Sequence, residues 1–152
     1  MATLTPTFHE DAKHLHGDHL ALGAAIDHLD AALDRLICFS EVYANLAAAG
    51  EVYRCGRELN AKFPRHCRRE EAELLAPVSA VSPDLCELCG GLAREHQEVL
   101  ARLAAFTAAL DEYERAADLD QAVRHVKETG KDLTHELRRH IAIEEHELSG
   151  FL

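Results

Sequence analysis

Apolar residues return every three or four positions along most of this chain, the spacing of one face of an α-helix. The first such seam holds Leu15, Leu22, Ile26, Leu29, Leu33 and Leu36, and His19 fills its single gap. Seventy-seven residues later the seam returns as Leu92, His96, Val99, Leu103, Phe106, Leu110 and Tyr113, histidine included. A second pair of seams is related by 74 residues. Val52, Gly56, Leu59, Phe63, Arg65, His66, Glu70, Glu71, Glu73 and Leu74 match Val126, Gly130, Leu133, Leu137, Arg139, His140, Glu144, Glu145, Glu147 and Leu148. Helical periodicity alone would align the leucines of any two bundle helices. It would not also align a histidine, the glutamate four residues on and a mid-helix glycine, so the pattern reads as a duplicated helix pair.

Four helices are predicted, near 8–37, 42–76, 83–115 and 119–149. Thr7 with Glu10 reads as a capping box, Ser82 with Pro83 as N-cap and first helical residue, Asp118 or Asp120 as a cap for the last helix, and Gly150 as its C′ residue. The first break is less defined, with Ser40 or Gly50 as its marker. Short loops favour antiparallel neighbours, so the expected fold is all-α, an up-down-up-down antiparallel four-helix bundle forming one domain over residues 1–152.

Composition agrees and narrows the function. Of 152 residues 47% are apolar but only 5% aromatic, so alanine and leucine must carry the core. The four prolines mostly fall where helices would start or stop. A formal net charge of −11 with no sizeable Lys/Arg cluster argues against a nucleic-acid or anionic-membrane partner. The first ten residues have neither the basic nor the apolar region of a secretion signal, and no apolar run approaches a membrane span. The five cysteines (Cys38, Cys55, Cys67, Cys86 and Cys89) lack framework spacing and read as reduced thiols of a cytoplasmic protein. Cys86-x-x-Cys89 has no second C-x-x-C and no surrounding βαβ pattern, so it reads as two ordinary cysteines opening a helix.

The unusual chemistry lies in the seams. Each carries a histidine, and two also carry a glutamate four residues later, about 40° around the helix. A buried glutamate without a partner is costly, and a metal ion removes that cost. In an antiparallel bundle His19, His66, His96 and His140 all fall at one level, ~14–20 Å from the same end. Six residues (His19, His66, Glu70, His96, His140 and Glu144) then meet in one layer. Two bridging carboxylates with two imidazoles per ion describe a dinuclear site, and this donor set suits iron, manganese or zinc. A structural zinc would not need six ligands. Glu71 and Glu145, five residues past their histidines, read as solvated or supporting residues. His9, His14, His16, His28, His125, His135 and His146 fall off the seams and read as surface residues. Tyr43, Tyr53 and Tyr113 read as core or boundary residues, with an extra ligand as the alternative.

The segment from Phe63 to Glu71 and its echo from Leu137 to Glu145 resemble the H-x-x-x-E-E motifs of the hemerythrin-like, or HHE cation-binding, family. The lone His19 and His96 resemble that family's other two motifs. The resemblance spans nearly the whole chain and implies two non-haem irons with an oxo or hydroxo bridge. The pattern departs from that of the oxygen carriers, which place a second histidine four residues after the one on the third helix. Here that residue is Leu100. They also use an Asp five residues after the fourth helix's histidine, where this chain has Glu144 at four and Glu145 at five. One His and one H-x-x-x-E, twice over, is more similar to the hemerythrin domain of iron–sulfur-centre repair proteins. The expected function is a di-iron protein whose open iron positions bind or turn over nitric oxide, peroxide or oxygen. If it is an enzyme, it is an oxidoreductase acting on nitric oxide or peroxide. The alternatives are reversible oxygen binding or sensing, and iron storage or donation.

Overall fold

The computed structural model describes residues 6–37 and 42–148 of the chain. Four long helices make a bundle: α1 (Pro6–Arg35), α2 (Val42–Glu70), α4 (Pro83–Tyr113) and α5 (Leu119–Glu147). Between α2 and α4 a π-helical turn (Glu71–Leu75) runs into a short α3 (Ala76–Ser79). α1 packs on α2 and α5, and α4 packs on α5 and α2, the arrangement of an antiparallel square. Among the described residues there is no strand, and no helix is long and apolar enough to cross a membrane.

Local chemistry explains most boundaries. Ser82 accepts a hydrogen bond from the Leu85 amide at 3.3 Å and caps α4, with Pro83 as the first helical residue. Asp118, not Asp120, caps α5 by accepting from the Gln121 amide at 3.0 Å. α1 is already helical at Pro6, so Thr7 does not stand ahead of the helix as a cap. Ser40 and Gly150 lie outside the described residues, and Gly50 sits inside α2 rather than at a break. Asn45 joins the first two helices. Its side-chain amide donates to the Ile37 carbonyl at 2.7 Å, and its carbonyl accepts from the Ile37 amide at 2.9 Å.

The second predicted helix, drawn as one run to residue 76, is broken in geometry at Glu71. Ala76 donates its amide to the Glu71 carbonyl, five residues back, which widens the turn. Pro77 supplies a reason: it has no N–H, and in a regular α-turn its ring would press on the Glu73 carbonyl. Pro64 is the exception to the expectation that prolines mark helix ends. It lies inside α2, two residues before His66.

The core is divided. A large apolar cluster from all four long helices fills one side, centred on Leu29, Leu33, Leu59, Phe106 and Leu133. A smaller one (Leu74, Leu75, Val78, Cys89, Leu92 and Leu148) closes the opposite end. Tyr53 and Tyr113 sit at the far end of the larger cluster, where the Tyr53 hydroxyl donates to the Leu110 carbonyl. Tyr53 is 13 residues from His66 along α2, ~20 Å, which excludes it as a ligand to anything held there. The side chain of Tyr43 lies outside the described residues.

The two glycines of the repeat have a packing reason. A Cβ on Gly130 would stand 2.7 Å from Leu33 Cδ1 and 3.0 Å from Phe106 Cε2, and one on Gly56 would stand 3.1 Å from Phe106 and Leu110. Each lets a helix approach the Phe106 ring from one side. Gly50 has nothing within 4 Å of such a Cβ. Gly130→Ala is therefore expected to cost about 1–2 kcal/mol by overpacking around the fully buried Leu33. Gly50→Ala should add about 0.5–1 kcal/mol through helix propensity. Urea unfolding of the two variants checks both signs.

Candidate metal centre

Between the two apolar clusters lies a polar layer. His19, His66, Glu70, His96, His140 and Glu144 are all at most 3% exposed. One donor atom from each of His66, Glu70, His96, His140 and Glu144 can be chosen so that all lie within 4.8 Å of one another. His19 stands just outside that mutual set but reaches the layer through Glu144, its Nε2 3.2 Å from Oε2. The structure thus brings all six sequence-predicted residues to one level of the bundle.

The layer has an internal order that follows the duplication. The imidazoles form two pairs, His19 with His66 and His96 with His140, with ring centroids 4.9 and 4.8 Å apart. Glu144 lies between the pairs. Its Oε2 faces His19 at 3.2 Å and His66 at 3.8 Å, while its Oε1 faces His140 at 2.8 Å and His96 at 3.1 Å. Glu70 Oε2 also touches one member of each pair, His96 at 3.0 Å and His66 at 3.4 Å. The fully buried Phe63 ring packs beside His66, His96 and His140, with centroids 6.0, 6.3 and 5.9 Å away, and shields that side of the layer with an apolar wall.

Several buried polar atoms here have no hydrogen-bond partner: both nitrogens of His19 and of His66, His140 Nε2, Glu70 Oε1 and Glu144 Oε2. Buried polar groups are normally satisfied, and the Nε2 atoms of His19, His66 and His140 converge on Glu144, an arrangement that fits a cation between them. Protonation tells the same story. Burial alone would raise the Glu144 carboxyl, yet His140, His19, His66 and His96 together hold it far below the usual carboxylate range. Burial pushes Glu70 the other way, and the neighbouring Glu144 adds to the rise. Burial would lower His96, but Glu144, Glu70 and Glu71 outweigh it and lift it to about 10. His19 is raised for the same kind of reason, chiefly by Glu144 against the effect of burial. Cys67, buried next to the carboxylates, is pushed up by burial and by their charge, so it stays a thiol.

A second ring of carboxylates holds the imidazoles from behind. Glu71 Oε1 lies 2.8 Å from His96 Nδ1. Glu145 Oε1 lies 3.5 Å from His19 Nδ1, and Glu95 Oε2 3.4 Å from His140 Nδ1. Glu71 and Glu145 are thus both things the sequence suggested: half-exposed, and supporting. Glu95 was missed. The signal was present, because an acid precedes each lone histidine, Asp18 and Glu95, again 77 residues apart. His14, His16, His28, His125, His135 and His146 are exposed as expected, and the side chain of His9 lies outside the described residues. Cys86 is exposed and Cys89 buried, both as free thiols in the opening turns of α4.

The hemerythrin HHE cation-binding domain matches residues 10–152. This chain belongs to the hemerythrin family. Neither a curated protein nor a solved structure matches it. The family binds metal cations, usually iron, and the His/Glu layer of this hemerythrin-like bundle is a buried cluster able to hold a metal.

Because His96 keeps its proton up to about pH 10 in the metal-free chain, a cation that takes Nε2 must displace it. Metal affinity is therefore expected to rise from pH 6 to 9, by about tenfold per pH unit for each proton displaced. Metal titrations in weak buffer with a pH indicator check this. Proton release should accompany loading, and an affinity independent of pH over that range would contradict it.

Proposed function

We propose that this chain is a non-haem di-iron protein. Two irons, with an oxo or hydroxo bridge, would be held on His19, His66, Glu70, His96, His140 and Glu144. Their open positions would bind or turn over nitric oxide, peroxide or oxygen. The observation that carries the reading is the position of Glu144, with one carboxylate oxygen turned to each imidazole pair. A carboxylate placed this way serves two ions better than one, and each ion would draw on one pair. Six donor residues also exceed what a closed four-coordinate site uses.

When bound, iron would supply redox change and Lewis acidity at positions the protein leaves open. The protein's own part is orientation and exclusion. Glu71 and Glu95 fix His96 and His140 through their outward nitrogens, a support that generally raises ligand basicity and affinity, and Glu145 stands 3.5 Å behind that of His19. Phe63 and the two apolar clusters keep bulk water from the layer, so only a small molecule passing between packed helices would reach it. Leu100, at the place where the oxygen carriers have another histidine, packs against the apolar core. Both irons would therefore keep open positions, which favours turnover over reversible carriage. The free thiols among the described cysteines suit a reducing cytoplasm.

Metal analysis with an absorption spectrum of aerobically purified protein tests the core of this reading. About two irons per chain with near-ultraviolet oxo-to-iron bands is the expected result, and zinc or no metal would sink it. Stopped-flow mixing with nitric oxide, peroxide and oxygen should then show reaction with the first or second, and iron transfer to an apo-protein should be absent. Glu144→Ala is expected to lower iron content to one ion or none, whereas Glu71→Ala should keep the iron with about 10–100-fold weaker affinity.

A further inference from the structure

Cys86 and Cys89 lie one turn apart at the start of α4, and the His/Glu layer makes no use of them. Cys86 is exposed, Cys89 is buried in the small apolar cluster, and both are free thiols. Burial, and then the nearness of Cys86, push the Cys89 thiol up. On a regular helix, Cβ atoms three residues apart stand ~5–6 Å from each other. A disulfide needs ~3.5–4.5 Å, so the turn as it stands holds the pair close but unbonded.

The turn ahead of Cys86 has little to hold it. Pro83 and Asp84 are exposed, and Leu85 is only partly buried. Ser82 caps the turn with one hydrogen bond of 3.3 Å, and the Cys86 amide donates to the Ser82 carbonyl at 3.0 Å. Directly after Cys89 come Gly90 and Gly91. Within 4 Å a Cβ on either would meet only the end of Arg94, at 3.7 and 3.9 Å, so close packing does not call for them, and they weaken the helix there. If α4 begins one turn later, Cys86 becomes its N-cap and Cys89 its third residue. An N-cap side chain folds back over that third residue, as Ser82 does over Leu85. The same fold brings the Cys86 sulfur to Cys89.

We propose that Cys86 and Cys89 form a reversible disulfide by exchange with small disulfide oxidants, α4 giving up its first turn as the bond closes. The exposed Cys86, as its thiolate, attacks one sulfur of glutathione disulfide, which makes a mixed disulfide and releases one glutathione thiolate. The Cys89 sulfur then attacks the Cys86 sulfur and expels the second. Each expelled thiolate takes up a proton that a protein thiol gave up. Two protein thiols and one glutathione disulfide thus become one protein disulfide and two glutathiones. The bond lies in the cluster of Leu74, Leu92 and Leu148 that closes this end of the bundle, and it forms with or without a metal in the layer.

The test equilibrates the full chain, as purified, with mixtures of reduced and oxidised glutathione, then blocks the free thiols and maps the peptides by mass. The expected product is a chain with Cys86 joined to Cys89 and with Cys55 and Cys67 still free. Cys89→Ala should instead stop at a glutathione adduct on Cys86. Ser82→Ala should shift the equilibrium toward the disulfide by about fivefold, because only the reduced form has that cap to lose. Thiols that stay reduced even in oxidised glutathione alone would overturn the proposal. So would a parent chain that stops at the glutathione adduct, or that joins Cys86 to a different cysteine. An equilibrium indifferent to Ser82→Ala would overturn it as well, since the bond would then have closed without release of the first turn.

Discussion

Two carboxylates and four imidazoles sit in the middle of an apolar bundle, and the rest of the structure is arranged around that fact. A buried charge left alone would cost several kcal/mol, more than a typical packing contact returns. Here each carboxylate is surrounded by imidazoles, each imidazole but one has a further carboxylate behind it, and the Nε2 atoms of His19, His66 and His140, left without hydrogen bonds, all face Glu144. The layer is stable only as a set. That explains why it is closed on both sides by apolar clusters and why Phe63 packs beside three of the histidines.

The duplication gives the layer its symmetry, and departures from the duplication give it character. The imidazole pairs follow the two halves, and Glu71 and Glu145 play matching parts for His96 and His19. Pro77 has no echo in the second half and comes with the widened turn that begins at Glu71. Arg69 has no echo either, and it pairs with Asp18, the counterpart of Glu95. Both differences lie on the first half of the chain, at or next to the His/Glu layer, so the two imidazole pairs have unequal surroundings despite their near-equal spacing.

Much of this was legible in the sequence because the relevant spacing is local. A histidine and the glutamate four residues on share a helix face whatever the tertiary fold, and the repeat distinguished His19 and His96 from seven other histidines. Depth along the bundle then followed from residue counts. What was not legible depends on one residue changing the geometry of another. The run through residue 76 looked like a single helix because periodicity does not register the clash between a proline ring and a carbonyl four residues earlier. Glu95 escaped notice because it lies off the apolar seam, where helical pattern carries no information about what a long side chain can reach. Thr7 looked like a cap, but capping motifs are common inside helices, and α1 is already helical one residue before it.

The carboxylates behind the two lone histidines cross between the halves. Glu71, from the first half, holds His96 in the second, and Glu145, from the second, stands behind His19 in the first. A single helix pair therefore lacks the means to orient its own lone histidine. If the chain arose by fusion of two copies of a shorter gene, the ancestral hairpin had this layer only as a homodimer, each copy lending a glutamate to the other. Fusion would have made that exchange intramolecular and left the two halves free to differ, as they do at Arg69 and Pro77.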